Sequence, residues 1–296
     1  MNGKPATRAG LEDADELGRV IAIALEEDLR FGPDVTTAAT VPQDAIAVAA
    51  LTPRVDGVLA GIGAAVEVFR AVGGAAMQVR SMLPEGSRLV AGEPALVVVG
   101  PTRALLTAER TALNLVTHLS GIATLTRAWV DAVEGTGARI RDTRKTQPGL
   151  RALEKRAVLA GGGVNHRMGL GDAALIKDNH VVAAGSISAA ITAVRALAPE
   201  IFLEVEVDTL EQLHEALGHA VPLVLLDNFS PAETREAVRI TRERAPRTRL
   251  ESSGGLTLAV AREYATTGVD FLAVGGLTHS APSLDLGLDL TLDSSS

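Results

Sequence analysis

The sequence predicts an α/β protein whose second half is a parallel βα array, and three observations carry that prediction. Past Gly137, six short β-prone runs alternate with segments of helical periodicity over about 140 residues. Each run ends in polar, charged or glycine residues, as strands do when they deliver side chains to one end of a sheet. Ahead of Gly137 the rhythm differs: fewer strands are mixed with long helical stretches, which predicts a separate small sheet.

In chain order, residues 11–30 read as a helix, with Leu17, Val20, Ile21, Ala24, Leu25 and Leu29 at helical spacing and Phe31-Gly32-Pro33-Asp34 ending it. Residues 46–60, 76–83 and 95–99 read as antiparallel strands separated by Gly, Pro and Asp, with a helix over 63–71 between the first two. Residues 102–134 form one long helical region in which Gly121 marks a candidate break. The six later runs are 138–142, 173–176, 201–205, 223–226, 249–251 and 271–274. Ser186, Asp208 and Ser230 are the expected N-caps of helices between them, with Pro231 at a first helical position and Glu233 behind it. Periodicity leaves two architectures open for this half, a closed barrel and an open doubly wound sheet. The Ser294 to Ser296 tail is expected to be mobile.

Composition excludes several classes. There is no Cys, so disulfides, thiolate zinc sites and a cysteine nucleophile are excluded. A net charge of −8 and 2% aromatic residues argue against a nucleic-acid or membrane-surface binder. No apolar window spans a bilayer and Met1 to Gly10 has no apolar leader core, so a soluble cytoplasmic protein is expected. The charge is uneven, however. Arg139 to Lys177 holds nine Lys/Arg against three Asp/Glu, a net +6, which leaves −14 for the rest of the chain. An isolated basic run is ordinarily a solvated helix face, and Arg151, Lys155 and Arg156 are expected to be that. The strand ends tell against this explanation for the others.

Those ends carry Arg144, Lys145, Lys177, Glu206, Asp227, Ser253 and Gly275. In a parallel array they converge on one pocket. Ser252-Ser253-Gly254-Gly255 and Gly275-Gly276 suit close backbone approach to a phosphate. Gly161-Gly162-Gly163 precedes His166 and Arg167 and is either a plain linker or a tight turn delivering them. Glu206 and Asp227 suit acid–base roles, or Mg²⁺ held largely through substrate oxygens. His118, His214 and His219 fall on helices with no assignable role, while His180 and His279 follow strand ends.

The motifs resemble one family. Glu109-Arg110-Thr111 with His118 to Ala123, Arg141 to Thr146, Gly161 to Arg167, Ile176 to His180, Glu204 to Asp208, Leu226-Asp227-Asn228, Glu251 to Gly255 and Val274 to Ser280 are similar, in this order, to quinolinate phosphoribosyltransferases. Glu27-Asp28-Leu29 and Gly32 to Thr37 also fit, so the likeness spans about residues 15–290. It implies an N-terminal open α/β sandwich over 1–137, to which the chain returns at 281–296, and a C-terminal incomplete α/β barrel of type II phosphoribosyltransferases over 138–280. It also implies a homodimer with shared active sites. The implied reaction joins quinolinate to phosphoribosyl pyrophosphate and yields nicotinate mononucleotide, CO₂ and pyrophosphate with Mg²⁺, in de novo NAD biosynthesis.

The resemblance places Arg144, Lys145, His166 and Arg167 on the quinolinate carboxylates, with Arg110 arriving from the other subunit. Lys177 falls between quinolinate and sugar, and Glu206 and Asp227 on the ribose hydroxyls and the metal. Ser253, Gly254, Gly255, Gly275 and Gly276 fall on the 5′-phosphate, and Thr143 and Leu277 complete the substrate-binding set. Lys145, Lys177, Glu206 and Asp227 are the implied catalytic residues. Two other readings are a salvage enzyme that takes nicotinate, whose single carboxylate has less need of so many cations, and a molybdenum-transport-associated protein of the same fold family that binds an anion without this catalysis, against which Arg110, Arg144, Lys145, Arg167 and Lys177 together with Glu206 and Asp227 favour the enzyme.

Overall fold

The computed structural model describes residues 7–292, with side chains from residue 16 onward; the Ser294 to Ser296 tail lies outside the described residues. The chain runs α1 (Thr7–Leu29), α2 (Val35–Thr40), β1 (Ile46–Pro53), β2 (Gly57–Val58), α3 (Ile62–Gly73), β3 (Gln78–Met82), β4 (Arg88–Leu89), β5 (Leu96–Pro101) and α4 (Thr102–Ala132). It continues through β6 (Arg139–Arg141), α5 (Arg151–Ala160), β7 (Ala174–Ile176), α6 (Asp178–Ala184), α7 (Ile187–Leu197), β8 (Leu203–Val207), α8 (Leu210–Leu217) and β9 (Leu223–Asp227). The last elements are α9 (Pro231–Arg244), β10 (Arg249–Ser253), α10 (Ala261–Ala265), β11 (Phe271–Ala273), α11 (Gly276–His279) and β12 (Leu286–Leu292). No single helix among the described residues is long and apolar enough to cross a membrane.

Two compact units result. The first comprises residues 1–125, 147–162 and 280–296, and the second comprises 126–146 and 163–279. The sequence expectation of one cut at 137/138 differs in detail, because α5 packs on α1 and its buried Glu154 accepts from His118 Nε2 at 2.8 Å, both within the first unit. The same helix corrects the expectation of a solvent-facing Lys155, which is 1% exposed. Helical periodicity finds the apolar stripe, but Ala152 through Lys155 are all buried, more than one face of a lone helix accounts for.

The first unit holds a four-stranded antiparallel sheet in the order β12-β1-β5-β3. β12 pairs with β1 from Ala47↔Leu292 to Pro53↔Leu286, so the chain's end completes a sheet begun near its start. Within this unit α4 passes Gly121 without a break. A Cβ on Gly121 would lie 2.1 Å from the Pro282 carbonyl oxygen, so the glycine serves close approach of the returning chain rather than a kink. Its neighbours are tied in as well. Ser120 Oγ accepts from Ala60 N–H at 3.0 Å and donates to Ala60 O at 3.1 Å. One turn on, Thr124 Oγ1 accepts from Val58 N–H at 2.9 Å. The His118 to Ala123 motif is thus a packing face.

The second unit is a six-stranded parallel sheet in the order β6-β11-β10-β9-β8-β7. Its curl follows from contacts that a flat sheet forbids. His166 lies beyond β6 and β8 is four spacings across the sheet, roughly 19 Å at ~4.8 Å per strand. Yet His166 Nε2 meets Glu204 Oε2 on β8 at 2.8 Å. The strands therefore wrap into a barrel-like cylinder. Its ends, β6 and β7, are not paired to each other among the described residues, which makes the barrel incomplete. The seam is crossed by residues 163–167: Val164 bridges to Arg141, and Arg167 Nη1 donates to Ala173 O at 2.9 Å just before β7. The triple glycine is thus a tight turn, with Gly162 at φ +92°, rather than a linker.

The expected caps hold for α7, where Ser186 accepts from Ala189 N–H, and for α9, where Ser230 and Glu233 form a reciprocal capping box behind Pro231. The cap of α8 falls on Thr209 rather than Asp208: Thr209 Oγ1 accepts from Gln212 N–H at 3.2 Å, and Gln212 Oε1 reaches back to Asp208 N–H at 2.6 Å.

Gly121→Ala separates propensity from packing. Helix propensity alone predicts a gain of about 1 kcal/mol, whereas a methyl driven into the Pro282 carbonyl predicts a loss of about 1–3 kcal/mol. We expect the melting temperature to fall by several degrees; a rise would show that the returning chain does not lie against α4.

Candidate active site

Side chains on the strands of the second unit alternate, and one set points into the barrel. On β8 that set is Glu204 and Glu206, on β9 Leu225 and Asp227, and on β10 Glu251 and Ser253, all but Glu204 lining one cavity of about 660 Å³. The strands run further than the sequence suggests, so Glu206, Asp227 and Ser253 belong to strands rather than to following loops. Their direction is fixed by the sheet. Thr143, Arg144, Lys145, His166, Arg167, Lys177, Gly254, Gly255, Gly275 and Gly276 line the same cavity. Arg110 does not; it lies exposed on α4 in the first unit. Leu277 is buried, with its N–H turned to Val274 O, and does not line the cavity.

The floor is a network of buried charge. Arg141 Nη1 donates to Glu251 Oε2 at 2.5 Å, and its guanidinium stacks 5.0 Å from the Phe271 ring centre. His166 Nδ1 accepts from Arg167 N–H at 2.7 Å, so that nitrogen carries a lone pair and Nε2 carries the proton given to Glu204. Both ring nitrogens are engaged inside the protein. What His166 does in this geometry is orient the Arg167 backbone, and the neighbouring Asp142 accepts from His166 N–H at 2.8 Å. Burial pushes the Glu204 and Glu251 carboxyls up to about 7, against the opposing pull of Arg141. His166, Glu204 and Glu251 have the spacing of a metal cluster, but the cations already present and the engaged imidazole speak against a further ion.

Above the floor stand the cationic arms. Arg144 and Arg167 each have a buried Nε with no hydrogen-bond partner. Burial, and secondarily the Arg144 charge, push the Arg167 guanidinium below its ordinary range. Two guanidinium groups that repel one another and each keep one donor unspent suit an anion. Asp172 braces the loop that carries Arg167, accepting from Met168 and Gly169 N–H at 2.6 and 2.8 Å. Thr143 Oγ1 accepts from Lys145 N–H, and Thr278 Oγ1 donates to Lys145 O at 2.8 Å.

The opposite wall is acidic. Lys177, at the end of β7, has its N–H held by His180 Nδ1 at 2.9 Å and places Nζ 2.5 Å from Glu206 Oε2. Asp227 accepts from Asn228 Nδ2 at 2.7 Å. Glu206 and Asp227 are an all-oxygen donor pair, which suits Mg²⁺ provided that water and ligand oxygens complete its shell. Gly254 at φ +91° and Gly255 at φ +60° follow Ser253 and line the cavity, a left-handed turn that lets backbone approach a ligand closely.

Several residues were read in the sequence only as members of a motif or as followers of a strand end, without a place in the site. Glu204, Glu251 and Arg141 lie on the same strand faces as Glu206, Ser253 and Arg139, two residues apart, so a period of two was the available signal. His279 also lines the cavity.

A parallel barrel with paired guanidiniums at one side of its mouth, two carboxylates at the other and glycine turns beside them defines an enzyme for multiply anionic substrates. The sequence matches the family "Quinolinate phosphoribosyl transferase, N-terminal domain" over residues 34–120 and "Quinolinate phosphoribosyl transferase, C-terminal domain" over 122–289. It is 59% identical over 268 residues to the nicotinate-nucleotide pyrophosphorylase (carboxylating) of Mycobacterium leprae, covering 90% of this chain and 94% of that one. The human nicotinate-nucleotide pyrophosphorylase (carboxylating) is 39% identical over 261 residues, 87% of each chain. The solved nicotinate-nucleotide pyrophosphorylase of Francisella tularensis superposes with a TM-score of 0.88 at 36% identity, over 94% of this chain and 96% of that one. The chain belongs to the quinolinate phosphoribosyltransferase family.

The floor generates a pH prediction. Unfolded, Glu204 ionises near 4.5; folded, it holds its proton to about 7. The folded state binds more protons in that window, so stability falls as pH rises through it. Glu204→Gln removes the charge to be buried. Its melting temperature should therefore gain on the wild type between pH 5 and pH 8. A gap that narrows instead would mean that the ionised carboxylate is stabilised where it lies.

Proposed function

We propose that this protein is a quinolinate phosphoribosyltransferase of de novo NAD biosynthesis, converting quinolinate and phosphoribosyl pyrophosphate to nicotinate mononucleotide, CO₂ and pyrophosphate. One observation carries the reading: Arg144 and Arg167, each keeping an unpartnered Nε donor, line the same cavity as Glu206 and Asp227. The first pair suits the adjacent carboxylates of a pyridine dicarboxylate, and the second suits a ribose diol. A one-carboxylate substrate such as nicotinate leaves more of that positive charge unmatched.

Arg144, Lys145 and Arg167 bind the two carboxylates and set the ring nitrogen toward C1′ of the sugar. His166 aligns Arg167, and Thr143 holds the turn beneath Lys145. Backbone N–H groups of Ser253 to Gly255, Gly275 and Gly276 receive the 5′-phosphate. Glu206 and Asp227 hold the ribose hydroxyls and would hold Mg²⁺, which, when bound, offsets charge on the departing pyrophosphate. The ring nitrogen forms the bond to C1′ as the bond to pyrophosphate breaks. The developing positive charge at C1′ is met by the Glu206 and Asp227 carboxylates. Lys177, paired with Glu206, places an ammonium between the two reactants. The nitrogen is then cationic, so the C2–carboxylate bond breaks, its electron pair stays at C2 beside that nitrogen, and a proton replaces CO₂. Catalysis is by positioning and electrostatics.

Purified protein with Mg²⁺, phosphoribosyl pyrophosphate and quinolinate should form nicotinate mononucleotide, and nicotinate in its place should react poorly. Absence of product from folded protein, or preference for nicotinate, defeats the reading. Tight molybdate binding without turnover would favour an anion-binding relative instead.

Arg110 stands on the exposed face of α4, outside this chain's cavity, which supports a homodimer in which it completes the neighbour's site. Arg110→Ala should lose activity by about 100-fold or more, as expected when one partner of a charged pair is removed, while remaining dimeric. Equal mixing with Lys145→Ala should restore up to about a quarter of wild-type activity, since half the dimers are hybrids with one intact site of two. No recovery after verified subunit exchange excludes the shared site.

A further inference from the structure

Asn228 has had no role so far, yet it touches both halves of the sugar-phosphate end of the cavity. It follows Asp227 at the end of β9 with φ +56°, and Ala220 is the only other non-glycine residue with positive φ among the described residues. That conformation costs an L-residue energy and is held only where surrounding contacts require it; Asn tolerates it better than most. The contacts here are specific. Asn228 N–H donates to Ser253 O at 2.9 Å, and Asn228 Nδ2 donates to Asp227 Oδ2 at 2.7 Å. With Nδ2 so committed, Oδ1 turns toward Gly254. A Cβ there would sit 2.2 Å from Asn228 Oδ1 and 2.9 Å from Asn228 N. Gly254 is therefore required by Asn228 as well as by its own φ of +91°.

Asp227 and Ser253 are already register partners across β9 and β10. Asn228 extends that link beyond the last ladder pair, into the two loops that meet the ligand. Its chemistry also differs from that at Glu206. There an ammonium partners the carboxylate and offsets its charge. An amide donor orients the Asp227 carboxylate and leaves its full charge for a diol or a cation, as outer partners of ligating carboxylates do.

We propose that Asn228 is the positioning residue of the sugar-phosphate subsite: its side-chain amide fixes the Asp227 carboxylate, and its left-handed backbone, packed on Gly254, sets the Ser253 to Gly255 turn. The identity of the ligand rests on the function proposed above; the coupling of the two loops does not.

Asn228→Gly and Asn228→Ala divide the roles. Glycine adopts the left-handed backbone without strain and lacks the amide; alanine lacks the amide and bears the strain. Ribose 5-phosphate, which carries the diol and phosphate without pyrophosphate, is the calorimetric probe, used without metal. Both variants should bind it about tenfold more weakly, the order expected for one lost hydrogen bond to a charged group. Both should raise KM for phosphoribosyl pyrophosphate by about as much while KM for quinolinate stays within about twofold, with alanine melting below glycine. Wild-type affinity and KM in Asn228→Gly, or equal loss toward both substrates, overturn the proposal, as does a wild type that does not bind ribose 5-phosphate. If the wild type binds the probe yet does not turn over quinolinate, the proposed reaction fails while the comparison of variants still decides Asn228.

Discussion

Glu204 and Glu251 are buried where parallel barrels usually stack branched aliphatic side chains, and the rest of the site is built on how their charge is met. Leaving an ionised carboxylate in such a place without partners costs far more than one hydrogen bond returns. Arg141 meets Glu251, the His166 ring meets Glu204, and burial raises both carboxyl groups toward neutrality. His166 is thereby fixed in one tautomer, which points its other nitrogen at Arg167 N–H and sets the start of the loop that carries the guanidinium. A polar floor thus gives the cavity a rigid base in a barrel whose seam between β6 and β7 is open.

The cavity separates charge by sign. Arg144, Lys145 and Arg167 enter from the segments after β6, while Glu206 and Asp227 enter from β8 and β9, with Lys177, just past β7, touching the acidic side. An aromatic dicarboxylate and a polyhydroxylated cationic centre make opposite demands, and this division serves both without mutual neutralisation. The walls are held by backbone contacts rather than by each other: Thr278 to Lys145 O, Arg167 to Ala173 O, and Asn228 to Ser253 O. The arms are therefore positioned before any ligand arrives, which lowers the ordering cost of binding.

The first unit shows the same economy of small residues. Ser120, Gly121 and Thr124 on α4 contact backbone rather than side chains, so a helix passes close to a β2–α3 connection and to the returning chain with no bulky residue between. A motif that counts toward family resemblance is here explained by packing alone.

Legibility followed the range of the interaction. The strand-to-helix alternation, the caps of α7 and α9, and the charged and polar residues at the ends of β7 to β10 were readable because periods of 2 and 3.6 and capping chemistry are local properties of the chain. The α8 cap was missed by a single residue, since Asp208 and Thr209 both carry a capping oxygen and it is Thr209 that accepts from Gln212 N–H. The incomplete barrel was readable from the family resemblance but not from periodicity, because pairing order is set by which strand faces bury one another. Nor was the burial of Lys155, the approach of Pro282 to Gly121, or the left-handed Asn228 behind Gly254. The basic island of Arg139 to Lys177 was a fact of sequence. Only the folded chain sorted it, sending Arg141 to the floor, Lys155 into a core and Arg144 and Arg167 to the cavity, because burial and charge partners are decided between segments far apart in sequence.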